Sequence, residues 1–213
     1  MRNIRNFGHL FFNSTIAIAF AGCLAGCRTS SPSEGNAEFQ QPPAATPSTT
    51  VAVAKPAPQP KAPVPPVRIK AGLFSPYTDS QGHVWLADRG FDGDTTERDP
   101  DLPIANTEDP ALYRTERYAM TSFTYPVPNG NYIVKLHFAE TFEGIGGPGD
   151  RVFSFNVEGK EFKDFDIWVK AHGPQRAYIE TVPVKVTDGK LDITFQSQVE
   201  NPEINGIEIL PAP

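Results

Sequence analysis

Cysteine is nearly missing from this chain. There are two, Cys23 and Cys27, and none after them. Everything downstream must therefore fold without a disulfide and without a thiolate metal site. A basic stripe is also missing: 25 acidic residues against 19 Lys and Arg leave a net charge of −6, which argues against nucleic acid as a partner. No apolar run is long enough to span a bilayer comfortably. The candidate at 10–20 is short and is interrupted by Asn13-Ser14-Thr15. There is no internal repeat, no GxSxG elbow and no HxxxH pair; His83, His137 and His172 are scattered. The glycine run 144–149 lacks the Lys-Ser/Thr of a phosphate-binding loop and opens no helix, so it reads as a flexible loop. Nor does any segment keep a helical period over ten or more residues.

What is present begins with an export signal. Arg2 and Arg5 form a basic start, the apolar run follows, and small residues come directly after it. Leu24-Ala25-Gly26-Cys27 resembles a bacterial lipobox, which makes Cys27 the expected lipidation site and residues 1–26 a signal peptide. Phe20-Ala21-Gly22-Cys23 is a weaker second copy. The expected attachment is therefore anchored rather than spanning. Arg28, rather than Asp, follows the cysteine, which implies the outer membrane in a host that has one.

Residues 27–66 then change character. Pro, Ala, Ser, Thr and Gln dominate, and Phe39 is the single aromatic. Such a stretch buries too little apolar surface to offset its ordering entropy, so a disordered, proline-stiffened linker is expected. At roughly 3 Å per residue it reaches on the order of 100 Å.

Residues 67–213 are one domain's worth of chain and alternate with the period of strands. Tyr132, Val134, Leu136 and Phe138 share one face; Val152, Phe153, Phe155 and Val157 make another strand; 179–186, Leu191-Ile193-Phe195 and Ile204-Ile207-Ile209 follow. His83-Val84-Trp85-Leu86 makes a short one near the start. Asn129-Gly130, Glu158-Gly159-Lys160 and Asp188-Gly189 are turn signals, the last with the spacing of a tight hairpin. Short strands with frequent turns predict an all-β, antiparallel sandwich or barrel. Two stretches, 88–112 and 140–150, read as irregular, and loops on a rigid scaffold are where binding residues tend to sit. Asp92-Gly93-Asp94 with Glu97, Asp99 and Asp101 offers oxygen ligands for calcium, but it lacks the EF-hand pattern and reads first as a solvated acidic loop.

Five motifs in register carry a resemblance. Tyr77-Thr78-Asp79-Ser80-Gln81-Gly82-His83-Val84-Trp85 is followed by Asp109-Pro110-Ala111-Leu112-Tyr113-Arg114-Thr115-Glu116-Arg117-Tyr118, then by Leu136-His137-Phe138-Ala139-Glu140. Arg151-Val152-Phe153 with Phe165-Asp166-Ile167, and Asn201-Pro202-Glu203-Ile204-Asn205, complete the set. In that order and spacing they resemble the malectin domain over residues 69–210. The resemblance implies a jelly-roll-like, galactose-binding-type β-sandwich that binds carbohydrate without metal, cofactor or catalysis. It places the family's binding tyrosine on Tyr118, its aromatic pair on Thr141 and Phe142, and its acidic residue on Glu200, beside Asn201. One upstream family tyrosine has no counterpart near Thr95 and Thr96, so the animal-type disaccharide preference is not expected to carry over. Tyr113 fits either the core or a site, and Glu116-Arg117 reads as a structural ion pair.

Overall fold

The computed structural model describes residues 63–213, all within the compact unit Ala57–Pro213. The signal segment, Cys27 and most of the proline-rich stretch lie outside the described residues. Thirteen strands follow in chain order: β1 (Val67–Lys70), β2 (Tyr77–Thr78), β3 (Val84–Trp85), β4 (Asp94–Glu97), β5 (Thr115–Tyr118), β6 (Ser122–Pro126), β7 (Gly130–Phe138), β8 (Val152–Val157), β9 (Lys160–Phe165), β10 (Tyr178–Val186), β11 (Lys190–Val199), β12 (Glu203–Ile204) and β13 (Gly206–Pro211). One short helix, α1 (Ile167–Ala171), and a 3-10 turn at Pro110–Tyr113 complete the set.

Two four-stranded antiparallel sheets face each other, ordered β1-β13-β7-β10 and β6-β11-β8-β9. A three-stranded sheet, β12-β5-β4, and the β2-β3 ribbon flank them. The period-two pattern explains the layering. Tyr132, Val134, Leu136 and Phe138 on β7 point into the same core as Val182, Val184 and Val186 on β10 and Leu191, Ile193 and Phe195 on β11. Phenylalanine fills the space between the sheets. The Phe138 ring lies 5.0 Å from Phe165, and Phe165 lies 5.4 Å from Phe153 and 5.1 Å from Phe155. These tilted and edge-on pairs add about 0.5–1.5 kcal/mol each beyond area burial.

The structure corrects several expectations. Glu158-Gly159 does close a tight hairpin between β8 and β9, with Val157 opposite Lys160 and both turn residues at positive φ. Asp188-Gly189 does not: β10 pairs with β7, whereas β11 pairs with β6 and β8, so this turn is a corner between sheets. Asn129-Gly130 likewise leads from β6 in one sheet to β7 in the other. Local turn chemistry specifies the reversal; long-range pairing decides which sheet receives the strand. The stretch 88–112 is not wholly irregular, because it contains β4, whose sequence Asp-Thr-Thr-Glu carries no apolar alternation. Tyr113 belongs to a second, smaller core with Trp85 and Leu112 on the outer face of β7. There its hydroxyl bonds His137 Nδ1 at 2.9 Å, and the imidazole meets Glu208 at 3.1 Å through Nε2. Burial holds that imidazole below its usual pKa. Glu116 and Arg117 point apart: Arg117 pairs with Asp88 at 2.6 Å, and Glu116 with Arg98 at 2.7 Å.

Two ends of the sandwich differ. Val64 and Val67 pack against the core, in a shallow apolar groove shared with Val127 and Pro128 at the β6–β7 corner. At the other end, the register Val199↔Val152 brings the loop after β11 beside the long loop between β7 and β8.

Lys70, on β1, is 1 % exposed, an expensive place for an ammonium group. Its Nζ donates to the carbonyls of Thr115 at 2.8 Å and Ala71 at 3.1 Å, and to the Thr115 hydroxyl. Burial lowers its pKa to about 7, against the pull of Glu116, Asp88 and Glu97. Unfolded, the amine would titrate near 10.5, so between those values the unfolded chain binds more protons and stability rises with pH. Denaturant titrations from pH 7 to 10 should show unfolding free energy climbing by a few kcal/mol, on the order set by about 1.4 kcal/mol per pKa unit. In Lys70→Met that climb should vanish; equal slopes in the two proteins would refute the assignment.

Candidate functional site at one end of the sandwich

The end opposite the Val64–Pro128 groove carries a cleft of about 260 Å³. Its walls come from four places that are distant in sequence. β4 and its continuation supply Thr96 and Arg98, and β5 supplies Glu116 and Tyr118. The β7–β8 loop contributes Phe142 and Arg151, and the turn between β11 and β12 contributes Glu200 and Asn201. Cross-strand register makes the meeting possible: Tyr118 sits between Asp94 of β4 and Glu203 of β12, and Thr96 faces Glu116.

The structure thus gathers four of the five sequence-derived residues, Tyr118, Phe142, Glu200 and Asn201, around one concavity. Thr141 does not line it. Its side chain is buried, its hydroxyl donates to Glu116 at 2.8 Å, and it accepts from Arg98 Nε at 3.0 Å, so it braces the wall from behind. Burial runs unbroken from His137 to Thr141 and ends at Phe142, so the step out to solvent falls between these two neighbours. Phe142 is 42 % exposed. Its ring is fixed on two sides. The Arg98 guanidinium lies over it, 5.7 Å from the centroid, and Gly144 lies against its rim. A Cβ at 144 would fall 2.4 Å from Cε1, closer than any side chain tolerates. The glycine-rich loop is not free either. Gly146 N donates to Asp150 at 2.9 Å, Gly149 N donates to Asp166 at 2.7 Å, and Ile145 is buried. Glu200 sits in the left-handed region at φ 59° and accepts from the Asn201 backbone and side-chain nitrogens, both at 3.1 Å.

Below the floor lies a dense set of charges that strand periodicity gave no reason to expect. Arg151 is buried and donates through Nε to Glu140 at 2.7 Å, and through Nη1 to the Asn201 carbonyl. Glu140 also accepts from Phe142 N at 3.0 Å. Glu203 is fully buried, and as a carboxylate neither of its oxygens has a partner. Burial, reinforced by the charges of Glu116 and Glu140, raises its pKa well above the usual carboxylate value. Its surroundings therefore favour the neutral form, whose O–H can be offered to Glu116. Arg98 and Arg151 thus both have carboxylate partners, and neither guanidinium is left in search of an anion.

The acidic stretch after Asp92 is used structurally. Asp92 accepts from the backbone and hydroxyl groups of both Thr121 and Ser122. Among the described residues no group of three or more His, Cys, Asp or Glu is placed to hold a metal ion. The Tyr77–Trp85 motif is a braced turn: Asp79 accepts from the Trp85 indole at 3.0 Å and from His83 N at 2.8 Å, and Asp109 accepts from Tyr77 and Ser80.

A paired-sheet sandwich whose loops enclose an aromatic and polar cleft at one end is the build of a ligand-binding module. The malectin domain profile matches residues 67–207, and the chain belongs to the malectin-domain family. Human malectin is 37% identical over 98 residues, covering 43% of this chain and 32% of that protein. A probable leucine-rich repeat receptor-like serine/threonine-protein kinase of Arabidopsis thaliana is 40% identical over 105 residues, covering 45% of this chain and 10% of that one. The chain therefore spans a third or less of the length of these two relatives. Among solved structures, the ANXUR2 extracellular domain from Arabidopsis thaliana superposes with a TM-score of 0.60 at 17% identity, over 68% of this chain and 48% of that one. Bacteroides uniformis β-glucuronidase gives 0.60 at 20% identity, over 70% of this chain and 18% of that one. At those identities the likeness is one of fold.

The buried acid makes a pH prediction. A carboxyl whose folded pKa is raised stabilises below its unfolded pKa, near 4.5, and loses that contribution as pH rises through the folded value. Glu203→Gln keeps a donor for Glu116 and cannot ionise. The stability gap between Glu203→Gln and the parent should widen in favour of the variant as pH climbs from 4 to 8, read by thermal or denaturant unfolding. Parallel curves would show that Glu203 ionises freely.

Proposed function

We propose that the chain is a non-catalytic carbohydrate-binding module whose site is the end cleft. The observation that carries this is the convergence of Tyr118, Phe142, Glu200 and Asn201 on one concavity from three separate parts of the chain. Aromatic rings pack against the apolar faces of sugar rings, while carboxylate and amide groups fix the hydroxyls. A non-catalytic reading is supported by the carboxylates themselves. Glycoside hydrolysis needs two of them free to act across a scissile bond. Here Glu116 already accepts from Arg98 and Thr141, Glu140 is tied to Arg151, and Glu203 is sealed in.

The sequence motifs add the setting. Residues 1–26 act as a signal, Cys27 carries lipid, and 27–66 act as a stalk, which puts the module at the cell envelope, on the outer membrane where the host has one. Mass spectrometry of the mature N-terminus should find lipid on Cys27; an unmodified N-terminus elsewhere would remove the anchor.

A single open cleft of this size should bind with a dissociation constant on the order of micromolar to millimolar. Tyr118→Ala and Phe142→Ala should each weaken binding about tenfold or more in titration calorimetry, with little change in unfolding temperature because both side chains are partly exposed. Gly144→Ala should weaken binding in the same way by displacing the Phe142 ring. Unchanged affinity in the double variant would reject the cleft. A second reading, an envelope interaction module that has lost sugar binding, is favoured by one observation: Thr96 lines the wall near which the family carries a tyrosine. A glycan array without hits, together with capture of an envelope protein that depends on Tyr118, would select it.

A further inference from the structure

The cleft does not end at its own walls. Thr96 is shared with a second depression, formed by Phe74, Thr95 and Glu97. Phe142 is shared with a third, formed by Glu143, Trp168 and Gln175. The cleft thus adjoins one depression through Thr96 and the other through Phe142, and the two flanking depressions share no lining residue. Each repeats the same pair of chemistries: an accessible aromatic (Phe74, then Tyr118 with Phe142, then Trp168) and an exposed carboxylate (Glu97, Glu200, Glu143).

Phe74 is 72 % exposed, the most exposed large apolar side chain described. A lone exposed apolar residue means little. This one stands on an anchored loop. Gly72, at φ +74°, lies so close to Glu116 of β5 that a Cβ there would sit 2.6 Å from the Glu116 carbonyl oxygen. Gly72 N donates to Asp88 at 2.6 Å, and Asp88 N donates back to the Leu73 carbonyl at 2.7 Å. The anchored backbone sets Phe74 beside β4 with its ring exposed, which makes a ready-made platform. Trp168 is held by α1, which Asp166 caps by accepting from Val169 N at 3.0 Å.

Resting on the cleft assignment, we propose that the module grips an internal stretch of a neutral, linear polysaccharide, one sugar segment in each depression, rather than a chain end or a disaccharide. The flanking depressions are open to solvent and adjoin the cleft through different residues, so a polymer can pass across all three. Neutrality follows from charge. Every depression carries an exposed carboxylate, both guanidiniums of the central cleft already have carboxylate partners, and the chain is net −6. A uronic-acid polymer would meet like charge along the whole groove, whereas neutral hydroxyls donate well to carboxylates.

Titration calorimetry on the parent protein, with cello-, malto- and galacto-oligosaccharides from disaccharide to hexasaccharide and with hexagalacturonate, tests this. In whichever neutral series binds, the hexasaccharide should bind about tenfold or more tighter than the disaccharide. Phe74→Ala and Trp168→Ala should each erase part of that gain and leave disaccharide affinity unchanged, and hexagalacturonate should bind more weakly than the neutral hexasaccharide. Disaccharide binding with no gain in length, a gain that survives both variants, or preference for hexagalacturonate would overturn the extended groove while leaving the central cleft standing. Failure of every saccharide to bind would overturn the cleft and the groove together. Phe74→Ala, at an exposed position, keeps the test decisive should Trp168→Ala prove unstable.

Discussion

The pairing of Arg151 with Glu140 is what the cleft end of the sandwich depends on. The two residues sit at opposite ends of one long loop, and their fork closes it. The same guanidinium reaches the Asn201 carbonyl, which ties in the turn after β11. Glu140 in turn accepts from the Phe142 amide, fixing where that aromatic leaves the strand. Buried pairs of this kind contribute little net stability compared with apolar packing, yet losing one partner costs about 3–5 kcal/mol because a bare charge stays behind. Their value here is definition: three segments meet in one arrangement. Thr141, Arg98 and Glu116 do the same for the opposite wall.

Such a cluster is costly, and ion pairing and a raised Glu203 pKa offset part of that cost. Glu116, Glu140, Arg151 and Glu203 are all buried, and burial beside the charges of Glu116 and Glu140 favours the neutral form of Glu203. Lys70, on the far side of Glu116, is held near its own titration point by burial. The layer between the phenylalanine core and the cleft is thus polar, with each of its guanidiniums paired to a carboxylate.

How legible was this in the chain? The sandwich was: Tyr132 to Phe138, Tyr178 to Val186 and Leu191 to Phe195 alternate cleanly, and the alternation is the core. Sheet membership was not, because Asp188-Gly189 encodes a reversal and says nothing of its destination. β4 was hidden because a strand on a polar cleft has no apolar side to display. Four of the five expected site residues line the cleft, since motif spacing fixes which side chains share a strand end. Thr141 lies behind the wall because burial continues unbroken past the end of β7 as far as that residue. Arg98, Arg151 and Glu116 were missed as site residues for a plainer reason. Charged residues are normally solvated, and nothing local marks one that tertiary packing will bury.

The groove holding Val64 and Val67 beside Val127 and Pro128 has a geometric consequence. Pro63 and Val64, where the described residues begin, lie at the pole antipodal to the aromatic mouth. The first described residues therefore lie clear of the mouth, and no part of that segment narrows the approach of a bulky guest.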